Sequence, residues 1–312
     1  MVLSRAERVL IPPGWTAPER FYPQGRLDFA QVQMLLNRAI EVHMEGEDRI
    51  NPWRGVVSPN DVVGIQVDMH YPPVSPETIN AVIDAVIGSG VKPNNVVVFA
   101  ASEKDLFSAG IALNPRGRGV RTMGADSEGF RNDISRIVVD YCTAIINVGR
   151  LRVDKRFGMR GCLAACTVSL PETERAKLRK NPAHLGKAAA NAVSRKKIRL
   201  NILEAYQPVL KDTGEKLPPV WEYRGLLMSN DPVAVDTIGA RILNQKLQQA
   251  AEEEDRSSLP ETVWDYLYTA STEYRLGNAD PDTITVELVG PAIDLLLDTE
   301  TVESTDDTAE SN

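Results

Sequence analysis

No run in this chain approaches the roughly 20 consecutive apolar residues that cross a bilayer. The opening Met1-Val-Leu-Ser-Arg-Ala-Glu-Arg lacks the apolar segment of a secretion signal. Cysteine is scarce and odd in number: Cys142, Cys162 and Cys166 in 312 residues argue against a secreted disulfide scaffold. The expectation is a soluble, cytoplasmic protein with free thiols and no membrane partner. Also missing are a Walker or dinucleotide glycine fingerprint and any internal repeat. The absence of an aromatic stacking row argues against nucleic acid as the partner.

What is present suits a globular body. Hydrophobic residues make up 43% of the chain, enough for a sizeable core in one large domain or two small ones. The net charge of −8 is unevenly placed. Residues 298–312 carry six acids and no base, which leaves −2 on the rest. Residues 150–199 hold fourteen Lys and Arg against three acids, a block of +11. Such a block draws phosphates and carboxylates, although solvated helix faces also collect Lys and Arg.

Apolar spacing predicts a helix over Phe29–His43, after a proline-rich start. Asp61-Val-Val-Gly-Ile-Gln-Val-Asp-Met-His70 reads as a buried strand entering a loop. Ser75-Pro-Glu-Thr reads as a helix start with Pro76 in the first turn, and Val96-Val-Val-Phe-Ala100 as a second strand. Strand, helix, strand is a parallel crossover. Further strands are expected at residues 144–148, 198–203, 225–228 and 283–289, and helices at 231–243 and 261–274. The fold class is therefore α/β, a mostly parallel sheet flanked by helices on both faces. Residues 1–59 are expected to form an N-terminal arm and helix packed on a main domain of 60–297. The acidic stretch 298–312 has little to bury and reads as a disordered tail.

Several segments in order resemble the bacterial and archaeal family called domain of unknown function 362. They are the strand at 62–68, the helix–strand pair at 76–99, Ile145-Ile-Asn-Val-Gly-Arg-Leu-Arg152, Leu200-Asn-Ile-Leu-Glu-Ala205 and, most specific, Ser229-Asn-Asp-Pro-Val-Ala-Val-Asp236. The resemblance spans most of residues 60–290 and implies an α/β fold without implying a reaction. Some members of that family carry a ferredoxin-type iron–sulfur domain, whose pattern is missing here. More distantly, the layout is similar to the amino-terminal part of nickel-pincer lactate racemases. This sequence also departs from the family, which usually has Pro at Gly149, Lys at Arg152 followed by an Asp-His pair, a Lys-Asn pair near Thr167, and Asp at Glu204. Where those groups carry the family's chemistry, this chain has altered or lost part of it.

Open α/β sheets bind ligands at the carboxyl ends of their strands. Asp68 and His70 stand at such an end and suit acid–base work or a metal, as against a histidine capping the turn before Pro72-Pro73. Arg150, Arg152, Asp154, Lys155 and Arg156 follow a strand ending at Val148, where guanidinium forks would hold a carboxylate or phosphate. Asp231 has a sufficient role as a helix N-cap. Asp236, one turn into an apolar helix, would pair with an arginine or reach the cleft. Cys142, Cys162 and Cys166 could in principle ligate an iron–sulfur cluster, yet Ala164 and Ala165 between the latter two suit buried packing. Arg116-Gly-Arg-Gly-Val-Arg121 reads as a surface loop.

The leading reading is an anion-binding cleft of an enzyme acting on a small acidic or phosphorylated metabolite. Asp68, His70 and Asp154 are its catalytic candidates, and Arg150, Arg152, Lys155 and Asp236 its ligand-binding ones. The alternatives are an iron–sulfur redox protein and a degenerate, non-catalytic binding module. The sequence names no resident cofactor or metal and no oligomeric state.

Overall fold

The computed structural model describes residues 2–5, 27–44, 51–212, 221–254, 258–289 and 302–304. In chain order the elements are β1 (Val2–Arg5), α1 (Phe29–His43), β2 (Val63–Val67), α2 (Pro76–Gly88), β3 (Val96–Ala100), α3 (Glu103–Ser108) and β4 (Arg121–Gly124). A small hairpin follows, β5 (Phe130–Arg131) and β6 (Ile134–Ser135), then β7 (Ala144–Asp154), β8 (Gly158–Arg160), α4 (Cys162–Cys166), α5 (Glu172–Lys180), α6 (Lys187–Ala190) and α7 (Ala192–Lys197). The last are β9 (Ile198–Val209), β10 (Gly225–Ser229), α8 (Pro232–Glu254), α9 (Glu261–Thr272), β11 (Val286–Val289) and β12 (Val302–Ser304).

Ten strands make one mixed sheet, ordered β12-β11-β1-β10-β9-β7-β2-β3-β4, with β8 paired to the far end of β7. The block from β9 to β4 is parallel, and β10 runs antiparallel to both β9 and β1. Strands β2 and β3 are buried along their whole length, as their apolar runs between two helix layers require. On β2, Val63, Ile65 and Val67 face a layer that includes α1 and α2. The other face meets the larger cluster of α4, α8 and α9. The expected α/β class, with helices on both faces, is the observed one.

Local chemistry starts the helices where the sequence predicts. Ser75 accepts from the Thr78 N–H and Pro76 opens α2. Asp231 accepts from Val233 and Ala234 at 2.8 and 2.9 Å and so starts α8. Among the described residues no helix is long and apolar enough to cross a membrane.

Three features differ from the sequence reading. Val2–Arg5 is a strand inside the sheet, between β10 and β11, within a stretch read as an arm. Val302–Ser304 pairs in parallel with β11, while the rest of the acidic tail lies outside the described residues. Strand β7 does not end at Val148. It continues to Asp154, because Arg150 and Arg152 pair with β9 on one side and Arg152–Asp154 with β8 on the other.

Burial on both faces leaves polar side chains in β2, β7 and β9 to satisfy one another. Gln66, Asn147 and Asn201 stand in register across those three strands. Gln66 Nε2 donates to Asn147 Oδ1 at 2.9 Å and to the Ala165 carbonyl at 3.1 Å. Asn147 Nδ2 donates to Asn201 Oδ1 at 3.0 Å and to the Cys162 carbonyl at 2.9 Å. Asn201 Nδ2 reaches the Ser229 and Asn230 carbonyls. One amide ladder thus sets the register of four strands and seats α4 on them. Replacing Asn147 by Ala strands several buried polar groups at once and should lower stability by about 2–4 kcal/mol. Urea denaturation reads this directly, and a loss under about 1 kcal/mol would mean the ladder carries little of the fold.

Candidate functional site

Because β2 and β7 are parallel neighbours, with Val67 opposite Val148, the segments that follow them leave the sheet at the same edge. Asp68 is the first residue beyond β2, and its N–H donates to the Val148 carbonyl at 3.1 Å. Strand β7 then projects past the edge and folds back as β8. Asp154 closes that hairpin, its Oδ1 accepting from the Arg156 and Phe157 N–H groups at 2.8 Å each. Gly158 takes φ +79°, and a Cβ there would meet Pro260 and Val263 at 2.6 Å, so only glycine fits the turn.

The hairpin places Arg152 directly opposite Arg160. Two buried guanidinium groups side by side require carboxylates. Asp68 supplies one, accepting from Arg160 Nε at 2.7 Å and Nη2 at 3.0 Å in a bidentate pair. Asp154 supplies the other. Its Oδ2 lies 3.9 Å from Arg152 Nη2, 4.0 Å from Arg160 Nη1 and 3.9 Å from His70 Nε2. Arg152 Nη1 donates to the Tyr71 carbonyl, and Arg150 Nη1 to the Pro73 carbonyl at 2.9 Å. These two arginines therefore clamp the loop that carries His70. Asp68 fixes the loop's other end through the His70 N–H at 3.1 Å.

This charge pattern sets the protonation states. Burial, the largest single influence, pushes the Asp68 carboxyl up, but the charges of Arg160 and Arg152 and its hydrogen bonds from Arg160 and His70 bring it down to about 2. His70 is held below the ordinary imidazole value by burial and then by Arg160 and Arg152, against the opposing pull of Asp68 and Asp154. A neutral imidazole at pH 7 is able to accept a proton. Arg152 is lowered to about 10, chiefly by burial.

In front of this cluster opens a cleft of about 370 Å³. Asp68, His70 and Arg160 line its sheet side, and Arg156 and Phe157 come from the hairpin. Helix α5 contributes Glu172, Arg175 and Arg179, which spacings of three and four residues put on one face. Arg175 pairs with Glu172 at 3.1 Å, and Arg179 pairs with the same carboxylate. Arg156 is exposed and has no ion pair among the described residues. The Arg160 guanidinium lies over the Phe157 ring, 5.2 Å from its centroid.

Of the residues singled out in the sequence, Asp68, His70, Arg152 and Asp154 converge, and Arg150 adjoins them through the loop. Lys155 does not line the cleft; its backbone N–H meets Asp212 at the hairpin end. Asp236 does not reach the cleft or an arginine. Its two carboxylate oxygens accept from the Cys162 and Leu163 N–H groups at 2.6 and 2.9 Å, where the start of α4 lacks a cap of its own, and burial raises its carboxyl to about 7. The cysteines do not gather. Cys142 packs where a Cβ on Gly64 would meet its Sγ at 2.7 Å, and all three thiols are buried and free. Among the described residues no group of three or more His, Cys, Asp or Glu is arranged to hold a metal ion, so the donor set for a cluster is not assembled. Arg160, Arg175 and Arg179 escaped individual notice in the sequence, and their only signal was the +11 block.

The low Asp68 pKa makes an acid-dependent prediction. The folded-state value lies below the ordinary 3.8, so the pair's stabilisation is present above about pH 4 and is lost as the pH falls toward 2. Wild-type protein should lose about 2 kcal/mol more over that interval than an Asp68→Asn variant, as read by chemical denaturation at each pH. Parallel pH profiles for the two proteins would contradict the assignment. Breaking the pair from the other side with Arg160→Met should cost about 3–5 kcal/mol, because it leaves a buried carboxylate uncompensated.

No curated protein matches the chain. A family model described as domain of unknown function (DUF362) matches residues 68–241, more than half of the sequence, from the buried Asp68 through the first part of α8. The chain belongs to the domain of unknown function 362 family.

Proposed function

We propose that this protein binds a small acidic or phosphorylated metabolite in the cleft at the carboxyl ends of β2 and β7, and that His70 exchanges a proton with it. One observation carries the reading: four arginines, Arg156, Arg160, Arg175 and Arg179, and a half-exposed histidine line the same cleft. Three carboxylates, Asp68, Asp105 and Glu172, line it as well, so with a neutral histidine the wall carries one formal net positive charge, and Asp68 and Glu172 are already paired with Arg160, Arg175 and Arg179. An anion would meet fixed guanidinium donors in a partly dehydrated space, where charged hydrogen bonds are stronger than in water. Arg156 offers an uncommitted fork at the rim, and the exposed carboxylate of Glu172 occupies Arg175 and Arg179 as an exchangeable internal anion. His70 is the proton-accepting group, because the loop clamped by Arg150 and Arg152 holds it at the mouth. Three buried, free thiols fit a reducing, cytoplasmic setting.

The test pairs binding with a titration. Inorganic phosphate and succinate, added to the full chain at neutral pH, should raise the unfolding temperature and bind measurably by calorimetry. Arg156→Ala should weaken binding by about 10- to 100-fold, the size of a lost charged hydrogen bond. Bound anion should also raise the His70 pKa, seen by NMR, because it offsets the field of Arg152 and Arg160. Absence of binding by either anion, or an unchanged His70 titration in the bound state, would overturn the proposal.

A further inference from the structure

A second pocket, of about 210 Å³, lies beside the sheet-edge strand β4 and shares no lining residue with the cleft. Its floor is apolar, formed by Val97, Met123 and Ile137. Arg121 and Met123 alternate onto the same side of β4, and Val97 stands in register opposite Arg121 on β3. The guanidinium of Arg121 therefore rests on this floor, with its central carbon 6.0 Å from the centroid of the Tyr141 ring. Its Nε is buried and has no hydrogen-bond partner, and among the described residues no carboxylate forms an ion pair with the side chain. Arg116 reaches the same pocket from the preceding turn, exposed and, among the described residues, without an ion pair.

The turn that presents these arginines is tied down. Asn114 Nδ2 donates to the Val120 carbonyl at 2.8 Å and to the Arg118 carbonyl at 3.2 Å. Asn94 Oδ1 accepts from the Gly119 N–H at 2.5 Å, and Asn114 and Thr122 exchange two backbone hydrogen bonds. The surface loop expected from the glycines and arginines is thus an ordered frame, so little conformational freedom is lost when its side chains bind a ligand. A shielded, unpartnered guanidinium donor is costly in isolation. Here it faces an aromatic ring and an aliphatic floor. The one acid in the lining, Glu128, accepts from the Tyr141 hydroxyl at 3.3 Å, and among the described residues it forms no ion pair with either arginine.

From these features we infer that the β4 pocket binds a small carboxylate bearing an apolar or aromatic group, with Arg121 and Arg116 gripping the carboxylate and Val97, Met123, Ile137 and Tyr141 enclosing the apolar part. Planar guanidinium forks match carboxylates bidentately. The apolar floor favours such a ligand over inorganic phosphate, which has no surface to bury there.

Benzoate is the probe, titrated into the full chain at neutral pH with calorimetry and ligand-observed NMR. It should bind with Kd about 1 mM or tighter. Arg121→Met should weaken it at least about tenfold while leaving the unfolding midpoint and phosphate binding at the cleft unchanged. Arg116→Ala, on an exposed turn, should weaken it about 3- to 10-fold and tests the inference even where the Arg121 variant folds poorly. Arg156→Ala should leave benzoate affinity intact, which separates this pocket from the cleft. Benzoate that fails to bind, that is lost in Arg156→Ala but kept in the Arg121 and Arg116 variants, or that is displaced from the pocket by equimolar phosphate would overturn the inference.

Discussion

Where β2 leaves the sheet, both carboxylate oxygens of Asp68 are taken up by the guanidinium of Arg160, and much of the molecule's carboxyl edge is arranged around that buried pair. A lone carboxylate at this depth would be protonated or expelled. The bidentate partner arrives from β8, so the pair fixes the β7–β8 hairpin against the end of β2. Asp68 also receives the His70 N–H, and its backbone carbonyl receives the Val74 N–H. The strand end, the returning hairpin and the histidine loop are thereby held by one side chain and its own backbone.

Around this pair the charges are incompletely matched. Arg152 is buried with Nε and Nη2 lacking hydrogen bonds, and Asp154 Oδ2 is buried without one. The three donors nearest that oxygen stand at 3.9 to 4.0 Å, close enough to set a field and too far to close a hydrogen bond. By contrast, Oε2 of Glu204 accepts three hydrogen bonds. It accepts from the Ser75 N–H and hydroxyl and from the Thr78 hydroxyl, and so ties β9 to the start of α2.

The opposite face of β7 is held by close approach. A Cβ on Gly149 would meet the Gly161 backbone at 2.7 Å, and one on Gly161 would meet Asp236 Oδ1 at 2.3 Å. Glycine at both positions lets α4 sit directly on the strand, with the carboxylate of Asp236 replacing the cap that α4 lacks. That contact joins residues 229–236 to the strand that carries Arg150 and Arg152.

Local pattern was enough for the parallel core. The Val and Ile runs of β2 and β3 and the Ser75-Pro76 and Asp231-Pro232 helix starts follow from side-chain periodicity and caps, which act over a few residues. Charge in the +11 block was visible as well, but its division into lining and solvated residues was not. Arg160 becomes a partner of Asp68 only because β7 runs on past the sheet beside β9, residues 198–209, which are distant in sequence, and folds back as β8. Asp236 turned inward because an uncapped helix 73 residues away in the chain offered two N–H groups that nothing nearby could satisfy. Periodicity states which residues are buried, whereas which buried charge meets which is fixed by contacts between distant segments, and those exist only once the sheet has closed its register.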